Sequence, residues 1–293
     1  MEVDDQKIAS AKEFLADDRL RLRLHDLVTS EVRAVLSQFS GLSYDTEWSV
    51  EKLRERLQMY EAACRDLLKI EALVGFWGRD DHLNTLVLPA KRLIDGVRSQ
   101  SGIQGWLALR WYPSVLLLYA GGIAAVAANR YDNLYQLMVP SVSDPEGGGR
   151  NRLVFAIGSV DGVMQDVFKE LPDHSQKRYP RSEYLYVLFQ SFFNELLFLG
   201  SDYDAVFDRF ELLLALEHAY LNSARGRNAW GPLGRFAWKS HQDGRSGPLA
   251  TIVADSEAGS DWSVVKAGFF GGSPEKFKEI VKEYRQFLAN SAW

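Results

Sequence analysis

Residues 225–245 hold Arg225, Arg227, Arg235, Lys239 and Arg245 against Asp243 alone, so the stretch carries +4 in a chain of formal net charge −5. Trp230, Phe236 and Trp238 interleave with these cations, and His241 lies among them. Guanidinium and ammonium groups pair with phosphate oxygens, while aromatic faces stack on bases or receive cations. The alternation therefore makes Arg225, Arg227, Trp230, Arg235, Trp238, Lys239, His241 and Arg245 the candidate ligand- or partner-binding residues. A second reading of the same residues is structural. Trp and Phe would anchor a long loop to the core while the Arg residues pair with local acids.

Other chemistries find less support. The histidines His25, His82, His174, His218 and His241 are scattered without paired ligand spacing such as His-Glu-x-x-His. Glu217 and His218 are adjacent on a helical stretch, so their side chains diverge, and no metal site is expected. Neither a Gly-x-x-x-x-Gly-Lys-Ser/Thr loop nor a Gly-x-Gly-x-x-Gly turn is present. Gly147-Gly148-Gly149-Arg150 could wrap an anion, although a linker explains that composition better. There is no Gly-x-Ser-x-Gly elbow, and the adjacency of Asp173, His174 and Ser175 is not triad geometry. Cys64, the one cysteine, sits in MYEAACRDLL, a helix interior, and reads as a buried thiol in a reducing compartment. No catalytic residue and no cofactor is expected, and an enzyme acting on a nucleotide or other phosphorylated ligand near 225–245 is the alternative.

The elements that position these residues are helical. Between Arg110 and Arg130 no residue is charged, and Pro113 suits the first turn of a helix running to Ala128. A helix apolar all round belongs in a core or a membrane. The uncharged run of 111–129 is at the short end for spanning, holds a Gly-Gly pair and is rich in Ala, so a buried core helix is expected. A polar break at Asn129–Asp132 joins it to a second helix ending near Pro140, giving an αα-hairpin. Apolar spacing of three and four predicts helices over 6–16, 18–39, from Thr46 or Ser49 to Gly75 or Gly78, and over 82–98 with a bend near Pro89. Residues 142–152, with Pro and three successive glycines, cannot hold a regular element and mark a flexible linker or loop between helical regions 1–141 and 153–293, which either stand apart or pack as one domain. The apolar run 153–157 is too short to classify.

Further on, short helical patterns occupy 160–170, 247–254 and 261–268. Residues 182–199 form an aromatic helix capped by Ser182, 203–222 a second, and Ser273-Pro274 opens an amphipathic last helix. A shift of 72 residues places Leu116 on Leu188 and Tyr135 on Phe207, which either a structural repeat or the generic nature of such hairpins explains. The fold class is all-α: a multi-helix bundle or a short α-solenoid of αα-hairpins, with irregular Gly- and Trp-rich loops in the C-terminal part. The acidic overall charge disfavours general adhesion to nucleic acid or membrane. The polar N-terminus MEVDDQKIAS carries no visible signal peptide, so a cytoplasmic location is expected.

The phrases RLRLHDLV (21–28), LALRWYPSVLLLYAGGIAAVAANRYDNL (107–134), FDRFELLLALEHA (207–219), GPLGRFAWKS (231–240) and VKAGFFGGSPEKF (265–277) together carry a resemblance. They resemble the helical regions that follow sirtuin-like or Toll/interleukin-receptor-like effector domains in bacterial multidomain proteins of defence type. These are packing motifs and transfer no catalytic residue. The resemblance implies a sensing, interaction or oligomerisation module whose effector is missing, encoded separately or supplied by a partner. The partners expected are a protein or further copies of the chain, then a nucleic acid or nucleotide, and no membrane span.

Overall fold

A helix with no charged side chain has no face to turn to water, and the chain is built to cover one. The computed structural model describes residues 2–96, 101–143, 149–242 and 247–291, with side chains from residue 6 and not at 241–242. The described residues are mainly α-helical and fall into two compact units, Met1–Asp173 and His174–Trp293.

The first unit comprises α1 (Glu2–Ala16), α2 (Arg21–Phe39), α3 (Val50–Trp77), α4 (Leu83–Gly96), α5 (Gln104–Leu109), α6 (Tyr112–Ala127) and α7 (Tyr131–Met138). A ladder of β1 (Ser141–Ser143) and β2 (Arg150–Arg152) follows, then α8 (Leu153–Ser159) and α9 (Asp161–Lys169). The uncharged helix α6 is buried from Tyr112 to Val126 and packs on α3, α4 and α7. The stretch 104–127 is long and apolar enough to cross a membrane, but it is enclosed by the unit's other helices, with 94% of its 18-residue apolar window buried. Its sequence fits this enclosure. A Cβ on Gly75 of α3 would lie 2.4 Å from the Gly121 carbonyl oxygen of α6, so two glycines let the backbones touch. The helix ends on Asn129 at φ 55°, with Asn129 N–H on Val126 O and Arg130 N–H on Ala125 O, a Schellman closure in which Asn tolerates the left-handed position.

Ser49 caps α3, accepting from Lys52 N–H, and from α7 the Asn133 amide donates to the carbonyls of Gly75 (3.0 Å) and Gly78 (3.1 Å). Lys7 bridges Glu31 and Asp66, tying α1 to α2 and α3. Cys64 is buried, and burial pushes its thiol up to about 12, with Glu61 adding to the shift. Glu71, also buried, is held well above the carboxylate range by burial alone.

The expectation that 142–152 holds no regular element is corrected. Ser141 to Ser143 pairs antiparallel with Arg152 to Arg150, because Val142 is buried and Asp95 of α4 accepts from Ser143 N–H (3.1 Å), Ser143 Oγ (2.9 Å) and Arg150 (3.1 Å). Gly147 and Gly148 lie outside the described residues, as do 97–100, which hold the expected end of the fourth helix. The boundary between the compact units is at Asp173/His174, beyond this ladder. The run 153–157 belongs to a helix.

The second unit comprises α10 (Pro180–Leu197), α11 (Tyr203–Ser223), α12 (Phe236–Gln242), α13 (Pro248–Asp255), α14 (Ser263–Lys266) and α15 (Pro274–Asn290). Ser273 caps α15 by accepting from Lys276 N–H, and Phe277, Ile280, Val281, Tyr284 and Leu288 form its buried face. Ser182 does not cap α10. Pro180 opens that helix, and Ser182 lies fully buried in its first turn. The second helices of the two sequence-similar hairpins, α7 and α11, differ in length, 8 against 21 residues.

Candidate functional site

Helix α11 is buried on nearly every side, yet its buried residues include Asp208, Glu211, Glu217, His218 and Asn222. Polar groups in such a position must find partners. Asp208, Glu211, Ala215, His218 and Asn222 follow steps of three and four, which puts them on one stripe of the helix. The segment 230–239 lies antiparallel along that stripe. At one end the Trp230 carbonyl is 3.0 Å from both Asn222 Nδ2 and His218 Nδ1, and the Nδ1–H tautomer lets both donate. The indole of Trp230 packs on the His218 ring, centroids 4.6 Å apart.

Next along the stripe, Gly231 passes so close to Ala215 that a Cβ would fall 2.2 Å from its carbonyl oxygen. Gly234 sits equally close to the Glu211 carboxylate. Glu211 accepts from Ser182 Oγ (2.7 Å), and Ser182 Oγ accepts from Arg235 N–H (2.9 Å). At the far end Arg235 donates to Asp204 (3.1 Å), lies 3.6 Å from Asp208, and stacks its guanidinium 3.4 Å over the Tyr186 ring. Lys239 bridges Asp204 (2.6 Å) and Asp208 (2.5 Å). Trp238 Nε1 reaches Glu183 at 3.4 Å.

The electrostatics follow from burial. Burial pushes the Asp208 carboxyl up to about 6, against the pull of Lys239 and Arg235. Asp204 is half exposed; burial works against its charge too, but the Lys239 hydrogen bond and charge hold it below the ordinary range. Arg235 is held above its ordinary value: burial opposes its charge, and Asp208, Tyr186 and Asp204 outweigh that. Two cations thus face two carboxylates in a self-neutralised cluster. It fastens a strap and leaves little charge for an outside phosphate.

The candidate residues of 225–245 therefore separate. Arg235, Trp238 and Lys239 come together as fastenings, whereas Arg225 and Arg227 are exposed on the turn after α11 and Trp230 is 36% exposed. The side chain of His241, and Arg245 altogether, lie outside the described residues. Phe236–Gln242 is helical where the sequence suggested an irregular loop. Glu217 and His218 diverge as expected: Glu217 accepts from Phe270 N–H (2.9 Å), pinning a segment with Phe270, Gly271 and Gly272 at positive φ. Of the Asp173-His174-Ser175 run, the His174 ring packs 5.4 Å from Tyr184.

Sequence reasoning missed a different feature of this unit, the outer face of α10. Val187 is 65% exposed and Phe198 88% exposed, with Gln190, Ser191, Asn194 and Glu195 the other exposed residues between them and Tyr184, Leu188, Phe192, Leu196 and Leu197 half-buried. Glu195 is the single charged residue of 184–198. Phe198 also adopts φ 55°, ψ 41°, the left-handed conformation that Gly or Asn ordinarily takes at a helix end. The class defined by this fold is a mainly helical protein in which buried polar residues pin irregular segments. The chain matches no family model, no curated protein and no solved structure.

Proposed function

We propose that this chain is a non-catalytic helical interaction module that associates through the outer face of α10, with a second copy of itself as the partner. The observation that carries this reading is Phe198. A bulky aromatic residue in the left-handed region costs on the order of 1 kcal/mol, and its side chain recovers nothing by packing, being almost wholly in solvent. A residue kept at a strained, exposed position is accounted for by a contact made outside the monomer. Val187 lies about three turns away on the same face, with the uncharged Ser191 and Asn194 exposed between the two. The near-absence of charge on this face suits self-association, since a two-fold axis sets the face against itself and needs no complementary pattern.

The resemblance to helical regions of bacterial defence proteins supports a role beside an effector domain, in the cytoplasm. The alternative, an enzyme acting on a phosphorylated ligand at 225–245, loses its main attraction because Arg235 and Lys239 are already met by Asp204 and Asp208. Sedimentation velocity over a concentration series tests the proposal. A concentration-dependent dimer that Val187→Lys dissociates supports it; a monomer at every concentration, or a dimer indifferent to Val187→Lys, overturns it.

A further inference from the structure

A second feature lies in the other unit. The C-terminal turn of α1 and the end of α3 form a groove of about 400 Å³ lined by Lys12, Leu15, Ala16, Trp77 and Arg79. Leu15 is buried beneath it, Ala16 is small enough to leave room, and the Trp77 indole stands 46% exposed at its side. The lining holds two cations and no acid. Arg79 donates through Nη2 to Asp18 and to the Leu15 carbonyl (3.4 Å), which fixes the guanidinium at the rim, while Nε and Nη1 make no hydrogen bond among the described residues. Lys12 makes neither a hydrogen bond nor an ion pair among the described residues.

The volume selects the kind of occupant. Small-molecule pockets span roughly 300–1,000 Å³, whereas a docking helix needs a long open channel. An indole face beside an apolar floor takes a flat ring, and a free ammonium together with a guanidinium edge takes one anionic group. The end of α1 adds a partial negative charge, but Arg79 already answers it at the Leu15 carbonyl, which leaves Lys12 for the ligand. The geometry points to a binding site for a planar aromatic small molecule bearing one anionic group, its ring on Trp77 and its anion between Lys12 and Arg79. Aryl carboxylates and mononucleotides share that chemistry.

Titration calorimetry of the full chain with 2-naphthoate, its neutral isostere 2-naphthamide, adenosine monophosphate and adenosine tests the site. At least one anionic probe is expected to bind tenfold or more tightly than its neutral counterpart. Lys12→Gln, an exposed substitution that leaves the core untouched, should weaken that binding at least tenfold, and Trp77→Leu should do the same. Preference for naphthoate identifies an aryl acid as the natural ligand type, and preference for the nucleotide identifies a nucleotide; either supports the site. Failure of both anions to bind, equal binding of the neutral probes, or binding unchanged by Lys12→Gln would overturn it.

Discussion

Gly231→Ala perturbs the strap at the point where it has least room. A Cβ there would fall 2.2 Å from the Ala215 carbonyl oxygen, 2.9 Å from its carbon and 3.1 Å from its Cα, all backbone atoms of α11 that cannot rotate away. The φ of Gly231 lies outside the left-handed region, so alanine brings no backbone strain of its own. Relief needs a displacement on the order of 1 Å, which lengthens the bonds from Asn222 and His218 to the Trp230 carbonyl beyond hydrogen-bonding range. Two such bonds at roughly 1 kcal/mol each, with about 1–2 kcal/mol of overpacking, give a loss of about 3–4 kcal/mol. Gly162, in α9 with nothing within 4 Å of its would-be Cβ, is the control, and its change to alanine should stabilise by about 0.5–1 kcal/mol. Urea unfolding followed by circular dichroism measures both, and hydrogen exchange over 230–239 localises the first. Gly231→Ala within about 0.5 kcal/mol of the unsubstituted chain, with protection of the strap unchanged, would refute the reasoning.

The same logic applies to the helix crossing in the first unit. Gly75→Ala drives a Cβ to 2.4 Å from the Gly121 carbonyl and should cost about 3 kcal/mol, whereas Gly121→Ala meets the ends of Leu137 and Glu71, which can yield, and should cost less; urea denaturation ranks the two. Lys239→Met leaves the buried Asp208 carboxylate with Arg235 alone and should cost about 3 kcal/mol at pH 7.5. Because burial raises the Asp208 pKa to about 6 from 3.8, its ionisation penalises the fold above about 6, and the penalty disappears as pH falls towards 3.8. The Lys239→Met deficit should therefore shrink at pH 5, and a deficit equal at both pH values would contradict the assigned role of Asp208.

Much of the helical framework is legible in the sequence because its signals are local. Ser49 and Ser273 announce helix starts, and the unbroken apolar run of α6 announces a core helix. The stripe Asp208, Glu211, Ala215, His218 and Asn222 follows helical spacing, yet only its burial in the structure singles it out. What the stripe receives is not legible, since the partners of Asp208 stand 27 and 31 residues away on a segment whose path depends on two backbone contacts. Ser182 imitates a cap in sequence, but tertiary demand from Glu211 and Arg235 determines its place. The β1–β2 ladder is hidden for a similar reason, because its stability comes from Asp95, about 50 residues earlier in the chain. Periodicity assigns apolar residues to a core without revealing which of them the core leaves uncovered, so Val187, Phe198 and Trp77 pass unnoticed.

Native mass spectrometry of the gently purified chain and of Phe198→Gly, side by side, tests the central claim most directly. Glycine relieves the left-handed strain, so the substitution should raise monomer stability by about 1 kcal/mol while removing the exposed ring. The account predicts a defined dimer for the unsubstituted chain and a monomer, better folded than before, for Phe198→Gly. A monomeric unsubstituted chain, or a dimer that survives the loss of Phe198, would contradict it.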